Sequence, residues 1–155
     1  MASVSLTGQD SVVFFRAGTP LVLSGFADGD TVMLEYPNNS VEAKPGKNGN
    51  VLFAFNSTGV LVNATLRLLL GTNDDKFFNS RFAELQNDIS SFILMDAEFV
   101  KRVGDGQGNI TSVTYRLGGG IIQKPPAVKE NVEGDTEQSV VVWNILFTNS
   151  NRIIA

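Results

Sequence analysis

The chain has 155 residues, a formal net charge of −4, and neither cysteine nor histidine. Without cysteine it has no disulfide and no thiolate nucleophile. Without histidine it lacks the commonest general base near neutral pH and the commonest transition-metal ligand. The basic residues are scattered, with one adjacent pair at Lys101–Arg102, so no basic patch is available to hold phosphates. The composition predicts a protein that is not an enzyme and binds no cofactor or metal.

Apolar residues make up 43% of the chain and charged residues 18%, which is typical of a folded domain. We expect residues 1–155 to form one domain. The first residues, Met1–Val4, lack the basic segment and apolar stretch of a secretory signal. The apolar runs are too short to span a bilayer, so we expect a soluble chain made and used in the cytoplasm.

The first part of the chain alternates apolar and polar residues, which predicts β-strands. Strands are expected at 11–16 and 21–24, separated by a turn, and again at 31–36. A polar excursion follows at 37–50, and we interpret it as the tip of a long hairpin. The chain returns from it through the apolar segment Val51–Phe55.

The segment 60–70 shows the most regular alternation and predicts a long strand with one polar face. Its expected buried positions are Val60, Val62, Ala64, Leu66, Leu68 and Leu70. Asn63, Thr65 and Arg67 fall on the other face. A strand of this length with a clean polar face is typical of an extended antiparallel sheet that is solvated on one side.

One helix is predicted over about 73–90. Thr72 or Asn73 can cap its first amide groups, and Asp74 and Asp75 sit at the positive end of the helix dipole. Spacings of three and four residues predict one apolar stripe, formed by Phe78, Phe82, Leu85 and Ile89. The opposite face is expected to carry Arg81, Glu84 and Asp88.

Further strands are predicted at 92–103, 110–117 and 139–148, and residues 152–154 read as a short tail. In the first of these, Ile93, Met95, Ala97 and Phe99 are expected on the buried face, and Asp96 and Glu98 on the other. Gly104–Asn109 is expected to be a hairpin loop. Gly118–Gly120 predicts a bend in the sheet.

Two acidic pairs are candidates for a catalytic or metal site. Asp74 and Asp75 are better explained by the helix dipole. Asp96 and Glu98 lie about 7 Å apart on one strand and leave a small β-fold hydrolase open as an alternative. That alternative lacks aromatic sugar platforms, because the only tryptophan, Trp143, lies in an apolar strand. A solvated acidic face is the favoured interpretation.

The order of elements resembles that of the inner tail tube protein of tailed bacteriophages, most similar to the contractile type. The resemblance in element order covers nearly the whole chain, and four short segments carry it: 25–30 (GFADGD) leading into 32–35 (VMLE), 45–50 (PGKNGN), 65–69 (TLRLL) and the segment around 119–125. The resemblance implies an antiparallel β-sandwich or rolled β-barrel with one flanking helix and a long stacking hairpin.

The resemblance also implies hexameric rings that stack into a tube through which DNA is ejected, with the sheath, baseplate and terminator proteins as partners. Such a protein is a virion component assembled in the bacterial cytoplasm. A tail terminator, a baseplate adaptor or a secretion-system tube protein stays open as an alternative.

Two sets of residues follow from this implied assembly. The expected stacking residues are Asn38, Asn39, Lys44, Lys47 and Asn48. The expected lumen residues, chosen because they lie on polar strand faces, are Asn63, Thr65, Arg67, Asp96 and Glu98. Arg67 departs from an acidic wall, and pairing with Asp96 or Glu98 would explain its presence.

Overall fold

The structure, a computed structural model, describes residues 5–26, 32–56, 60–129 and 140–155. Its elements in chain order are β1 (Leu6–Arg16), β2 (Thr19–Val22), β3 (Val32–Glu35), β4 (Val41–Pro45), β5 (Val51–Phe55), β6 (Val62–Leu69), α1 (Asn73–Asn87), β7 (Met95–Gly104), β8 (Ile110–Ile122), β9 (Ala127–Lys129) and β10 (Val140–Ile154).

The main sheet is antiparallel throughout, in the order β2-β1-β7-β8-β10-β6-β3, with β9 paired to part of β10. Strands β4 and β5 form a separate two-stranded hairpin. The predicted mainly β, antiparallel fold with one flanking helix is therefore confirmed. In the described part of the chain, β2 and β3 are the two ends of the sheet order, so the sheet is open and not a closed barrel.

Aromatic contacts show that the sheet is strongly rolled. Phe14 on β1 and Phe147 on β10 are three strand steps apart, about 14 Å in a flat sheet, yet their ring centroids are 6.1 Å apart. Phe78 of α1 closes the roll, with its ring 5.0 Å from that of Phe14 and 6.1 Å from that of Trp143. One core thus fills the inside of the roll, and the helix covers it.

The predicted faces of β6 and β7 are confirmed within these strands. Val62, Ala64, Leu66 and Leu68 are 0% exposed, and Met95, Ala97 and Phe99 are buried. The prediction is wrong at the ends, where Val60, Leu70 and Ile93 are at least partly in solvent, with Ile93 42% exposed. These three residues lie outside the strands, so the alternation no longer directs their side chains into the core.

The helix starts as predicted but ends earlier. The Thr72 hydroxyl accepts a hydrogen bond from the Asp75 N–H at 3.4 Å, and the helix stops at Asn87. Ile89, predicted to extend the apolar stripe, lies beyond this end and is 67% exposed.

Arg81 was predicted to lie on the solvent face of the helix, and this is wrong. Its guanidinium lies 5.2 Å from the ring centroid of Phe77 and 3.0 Å from the Glu84 carboxylate. Burial, followed by repulsion from Arg16, lowers the pKa of Arg81. The Arg16 guanidinium donates hydrogen bonds to both oxygens of the same Glu84 carboxylate, so this face of the helix is linked to the end of β1.

The acidic pair at the helix start is structural. Asp74 is 3% exposed, and one of its oxygens accepts the N–H groups of Ser24 and Gly25, both at 2.7 Å. Asp75 accepts the indole N–H of Trp143 at 3.0 Å. The first turn of α1 therefore holds the chain after β2 and the first part of β10 together.

Strands β8 and β10 are longer than predicted. The glycines at 118–120 lie inside β8, where the register against β7 shifts between Met95 and Ala97 and Gly119 has φ 66°. The predicted bend is thus an irregularity within a continuous strand. Residues 152–154, predicted as a tail, pair with 113–115 of β8 instead. Residues 27–30 of the first segment that carries the resemblance fall outside the described residues.

Candidate interaction surfaces

The sheet continues beyond its core as a four-stranded extension. Val62 pairs with Phe147 at the start of β6, and β2 covers only residues 13–16 of β1. Past these points the sheet consists of residues 6–11 of β1, 100–104 of β7, 110–116 of β8 and 148–154 of β10. Among the described residues no further strand pairs with β1 or β10 there, so the extension has two open edges.

The hydrogen-bond pattern shows which groups face the β10 edge. Ser112 and Ala155 exchange both backbone hydrogen bonds at 3.0 Å. Because bonding alternates along an antiparallel pair, the N–H and C=O of Arg152 and Ile154 point away from β8. These are the groups that a further strand would pair with.

The hairpin of β4 and β5 projects from the sheet and has one wholly apolar face. Directly opposed residues share a face of an antiparallel pair, and the register opposes Val41 to Phe55, Ala43 to Phe53 and Pro45 to Val51. These six residues form what we call the apolar hairpin face. All six are exposed, with Phe53 at 70% and Phe55 at 76%.

The five predicted stacking residues all belong to this hairpin or its base. Asn38 and Asn39 precede β4, and Lys47 and Asn48 lie in the tight turn, where Asn48 has φ 64°. Lys44 lies on the face opposite the apolar one, beside Leu52. The structure therefore brings these residues to one arm but not to one surface.

The sequence reasoning missed the apolar hairpin face. Alternate apolar residues at 41, 43 and 45 were read as part of a polar excursion because asparagine, lysine and glycine surround them. The sequence did contain this pattern, because a tight turn at 46–50 places positions 41, 43 and 45 opposite 55, 53 and 51.

The predicted lumen residues all lie on the outside of the rolled sheet. On β6, Asn63, Thr65 and Arg67 alternate with fully buried residues. The Thr65 hydroxyl donates to the Asn144 side chain at 3.1 Å. On β7, Asp96 and Glu98 likewise alternate with buried residues.

The two acids are held separately and away from Arg67. Asp96 accepts the Gly119 N–H at 3.3 Å, and Glu98 lies 3.9 Å from Arg116. Strands β6 and β7 are three steps apart on the outside of the roll, and no ion pair joins Arg67 to either acid among the described residues, so the suggested pairing is absent within one subunit. Of the five residues, Glu98 comes nearest to the four-stranded extension, two residues before its start on β7.

Within the described ranges, no three or more Asp or Glu side chains are grouped so that they could hold a metal ion. In the same residues no helix has the length and apolar character needed to cross a membrane.

Comparison with known proteins shows a likeness of structure. No protein-family model matches the chain, and no curated protein matches its sequence. A chain of the sheath–tube complex of PVC, an extracellular contractile injection system, superposes with a TM-score of 0.61 at 10% identity, covering 95% of this chain and 89% of that one.

Two chains of the anti-feeding prophage are also similar. One, from the cap that terminates its tube, gives a TM-score of 0.56 at 11% identity and covers 93% of this chain and 88% of that one. The other, from its six-fold symmetrised baseplate, gives 0.60 at 11% identity and covers 99% and 97%. The chain thus shares its fold with components of contractile injection systems, and the resemblance predicted from sequence is confirmed at the level of the fold.

Proposed function

We propose that this protein is a structural subunit that forms hexameric rings, which stack into the inner tube of a contractile tail. The observation that carries the proposal is the four-stranded extension with its two open edges. Open edges with unpaired backbone groups favour pairing with another chain. The likeness to a sheath–tube chain and to a chain of a six-fold baseplate supports the same assembly.

The strand directions are compatible with a closed ring. Since all neighbours in the sheet are antiparallel, β1 and β10 run in opposite directions. In a rotational ring, β10 of one copy therefore meets β1 of the next in antiparallel orientation, and one heterologous contact repeats until the ring closes. Six copies give a barrel of 24 strands, about 50 Å across at the backbone for strands about 4.8 Å apart and tilted by about 45°.

The position of the core assigns the faces of this barrel. The core and α1 lie on one face of the sheet and are too bulky for the bore, so we place them on the outside of the tube, where a sheath can contact them. The opposite face, which carries Glu98, then lines the lumen. The same face also carries Arg102 and Arg116, so we assign repulsion of a DNA backbone to the overall formal charge of −24 on six chains and not to the lumen face itself.

A proline substitution tests the edge pairing. Arg152→Pro removes the outward N–H and sets the proline ring against an incoming strand, while the bonds to β8 are kept. Arg152→Ala is the matched control, because it removes the side-chain contacts to Tyr115 and leaves the backbone intact. We expect Arg152→Pro to be a folded monomer and Arg152→Ala to form rings, measured by sedimentation and negative-stain imaging. Rings formed by the proline variant would refute the edge pairing.

A second candidate function is a tube-terminating or adaptor ring, which the likeness to the anti-feeding prophage cap favours. The two functions differ in stacking. Tubes of uniform width that lengthen with protein concentration support the tube subunit, whereas single rings at high concentration support the terminator.

A further inference from the structure

We propose that rings stack because the apolar hairpin face of one copy docks on a second apolar patch, Ile89, Ile93 and Leu94, of a copy in the next ring. This inference rests on the proposed ring assembly and names the two surfaces that meet between rings. It also moves the stacking contact from the polar hairpin residues to the apolar face.

The hairpin needs a partner surface. Its six apolar side chains are exposed, and an isolated two-stranded hairpin in water is at best marginally stable. Phe53 and Phe55 alone offer roughly 200–350 Å² of exposed surface, given the 150–250 Å² that an aromatic side chain can bury. An apolar face of this kind marks an interaction site.

The second patch is a group of exposed apolar side chains in a connection between two elements. Ile89 is 67%, Ile93 42% and Leu94 51% exposed, and all three lie in the short connection between α1 and β7. Asp88 at its start is also exposed. Its charge is complementary to that of Lys47 in the hairpin turn, so the two surfaces match in both apolar character and charge.

The strand directions place these two surfaces at opposite ends of the subunit. Strands β3 and β10 both pair antiparallel with β6, and β7 and β10 both pair antiparallel with β8. Strands β3 and β7 therefore run in the same direction. The hairpin follows the last residue of β3, and the patch precedes the first residue of β7. The hairpin therefore lies at the end of the sheet where β3 and β7 finish, and the patch lies at the end where they start.

Surfaces at opposite ends meet when copies are placed head to tail along the strand direction. Such a contact is heterologous and does not close on itself, so it repeats without limit. Each ring thus keeps a free hairpin face at one end and a free patch at the other, which is what an elongating tube requires.

Two double variants test this directly. The hairpin variant carries Phe53→Ser and Phe55→Ser, and the patch variant carries Ile89→Ser and Leu94→Ser. All four side chains are at least half exposed, so both variants keep the fold. Leu52→Ser is the matched control, because Leu52 is 63% exposed on the opposite face of the same hairpin.

Each variant alone should give single rings of about 100 kDa, six times 16.7 kDa, with tube elongation reduced more than tenfold. A mixture of the two should stop at pairs of rings, because only one intact hairpin-to-patch contact can form. The Leu52→Ser control should elongate like the unchanged protein. Normal tubes from either double variant, or long tubes from the mixture, would overturn the proposal.

Cysteine cross-linking separates this proposal from ring formation, because the natural chain has no cysteine. The full chain with Ala43→Cys and Ile93→Cys should give a ladder of disulfide-linked chains under oxidation, whether or not rings form. Leu52→Cys with Ile93→Cys should give at least tenfold less. A ladder without rings would refute the hexameric ring and retain the docking, whereas rings or tubes without a ladder would refute the docking.

Discussion

Replacing Asp74 tests how the first turn of α1 holds the segment after β2. One carboxylate oxygen of this residue accepts two backbone N–H groups at 2.7 Å, and the side chain is 3% exposed. Asp74→Ala leaves both donors unpaired, at about 1–3 kcal/mol for each well-buried group. Ser24 is exposed and Gly25 partly so, which places both donors near the lower end of that range. Losing the charge at the helix start adds about 0.5 kcal/mol.

We therefore expect Asp74→Ala to lower the free energy of unfolding by about 2–4 kcal/mol. Asp74→Asn keeps one acceptor oxygen and should cost only about 1 kcal/mol. Urea denaturation followed by Trp143 fluorescence measures both, in the Arg152→Pro background, which is expected to be monomeric, so that assembly does not contribute. Equal, small losses for the two substitutions would refute the reasoning and show that other contacts, such as the bond from Leu69 N–H to the Gly25 carbonyl, hold the segment.

Three further predictions concern the core and the glycine-rich positions. Gly119→Ala should lower the free energy of unfolding by about 3 kcal/mol, because Gly119 has φ 66° and the added methyl group would clash with Thr148. Gly108→Ala is the control, since Gly108 has φ 89° but open space around it, and it should cost only about 1 kcal/mol. The difference between the thermal midpoints of the two variants measures the cost of the clash. Phe78→Ala should cost about 3–5 kcal/mol in urea denaturation, and a loss below 1 kcal/mol would contradict its central position. The Asn109 side chain and the Gln107 N–H hold the pKa of Asp105 below its ordinary 3.8. The loop contacts should therefore persist above that pH and be lost as the pH falls through the lower folded value, and the amide NMR shifts of Gln107 and Asn109 should titrate with a midpoint below 3.8.

The sequence predicted best where one physical signal dominated. The alternation in β6 and β7 identified Val62, Leu66 and Met95 as core residues, because a strand with one buried face repeats every two residues. The start of α1 was also predictable, since Thr72 and the two acids form a cap.

Other features depended on contacts distant in the chain. The end of β10 contains Asn149 and Asn151, and local pattern gave no reason to continue the strand, yet β8 supplies its hydrogen-bond partners. Arg81 reads as a surface residue until Phe77 and Glu84 are placed beside it. The apolar hairpin face emerged only when the register of β4 against β5 was known.

The contrast between the two proposed contacts bears on the mechanics of the tube. Around the circumference, subunits would be joined by backbone hydrogen bonds, which are directional and resist stretching. Along the axis, they would be joined through the projecting β4–β5 hairpin, whose apolar contact is non-directional. Such a tube would hold its bore against pressure from within while rings tilt slightly on one another. The pairing of β10 with β1 between subunits would fix the diameter of the tube, and the hairpin contact between rings would limit how far the tube bends.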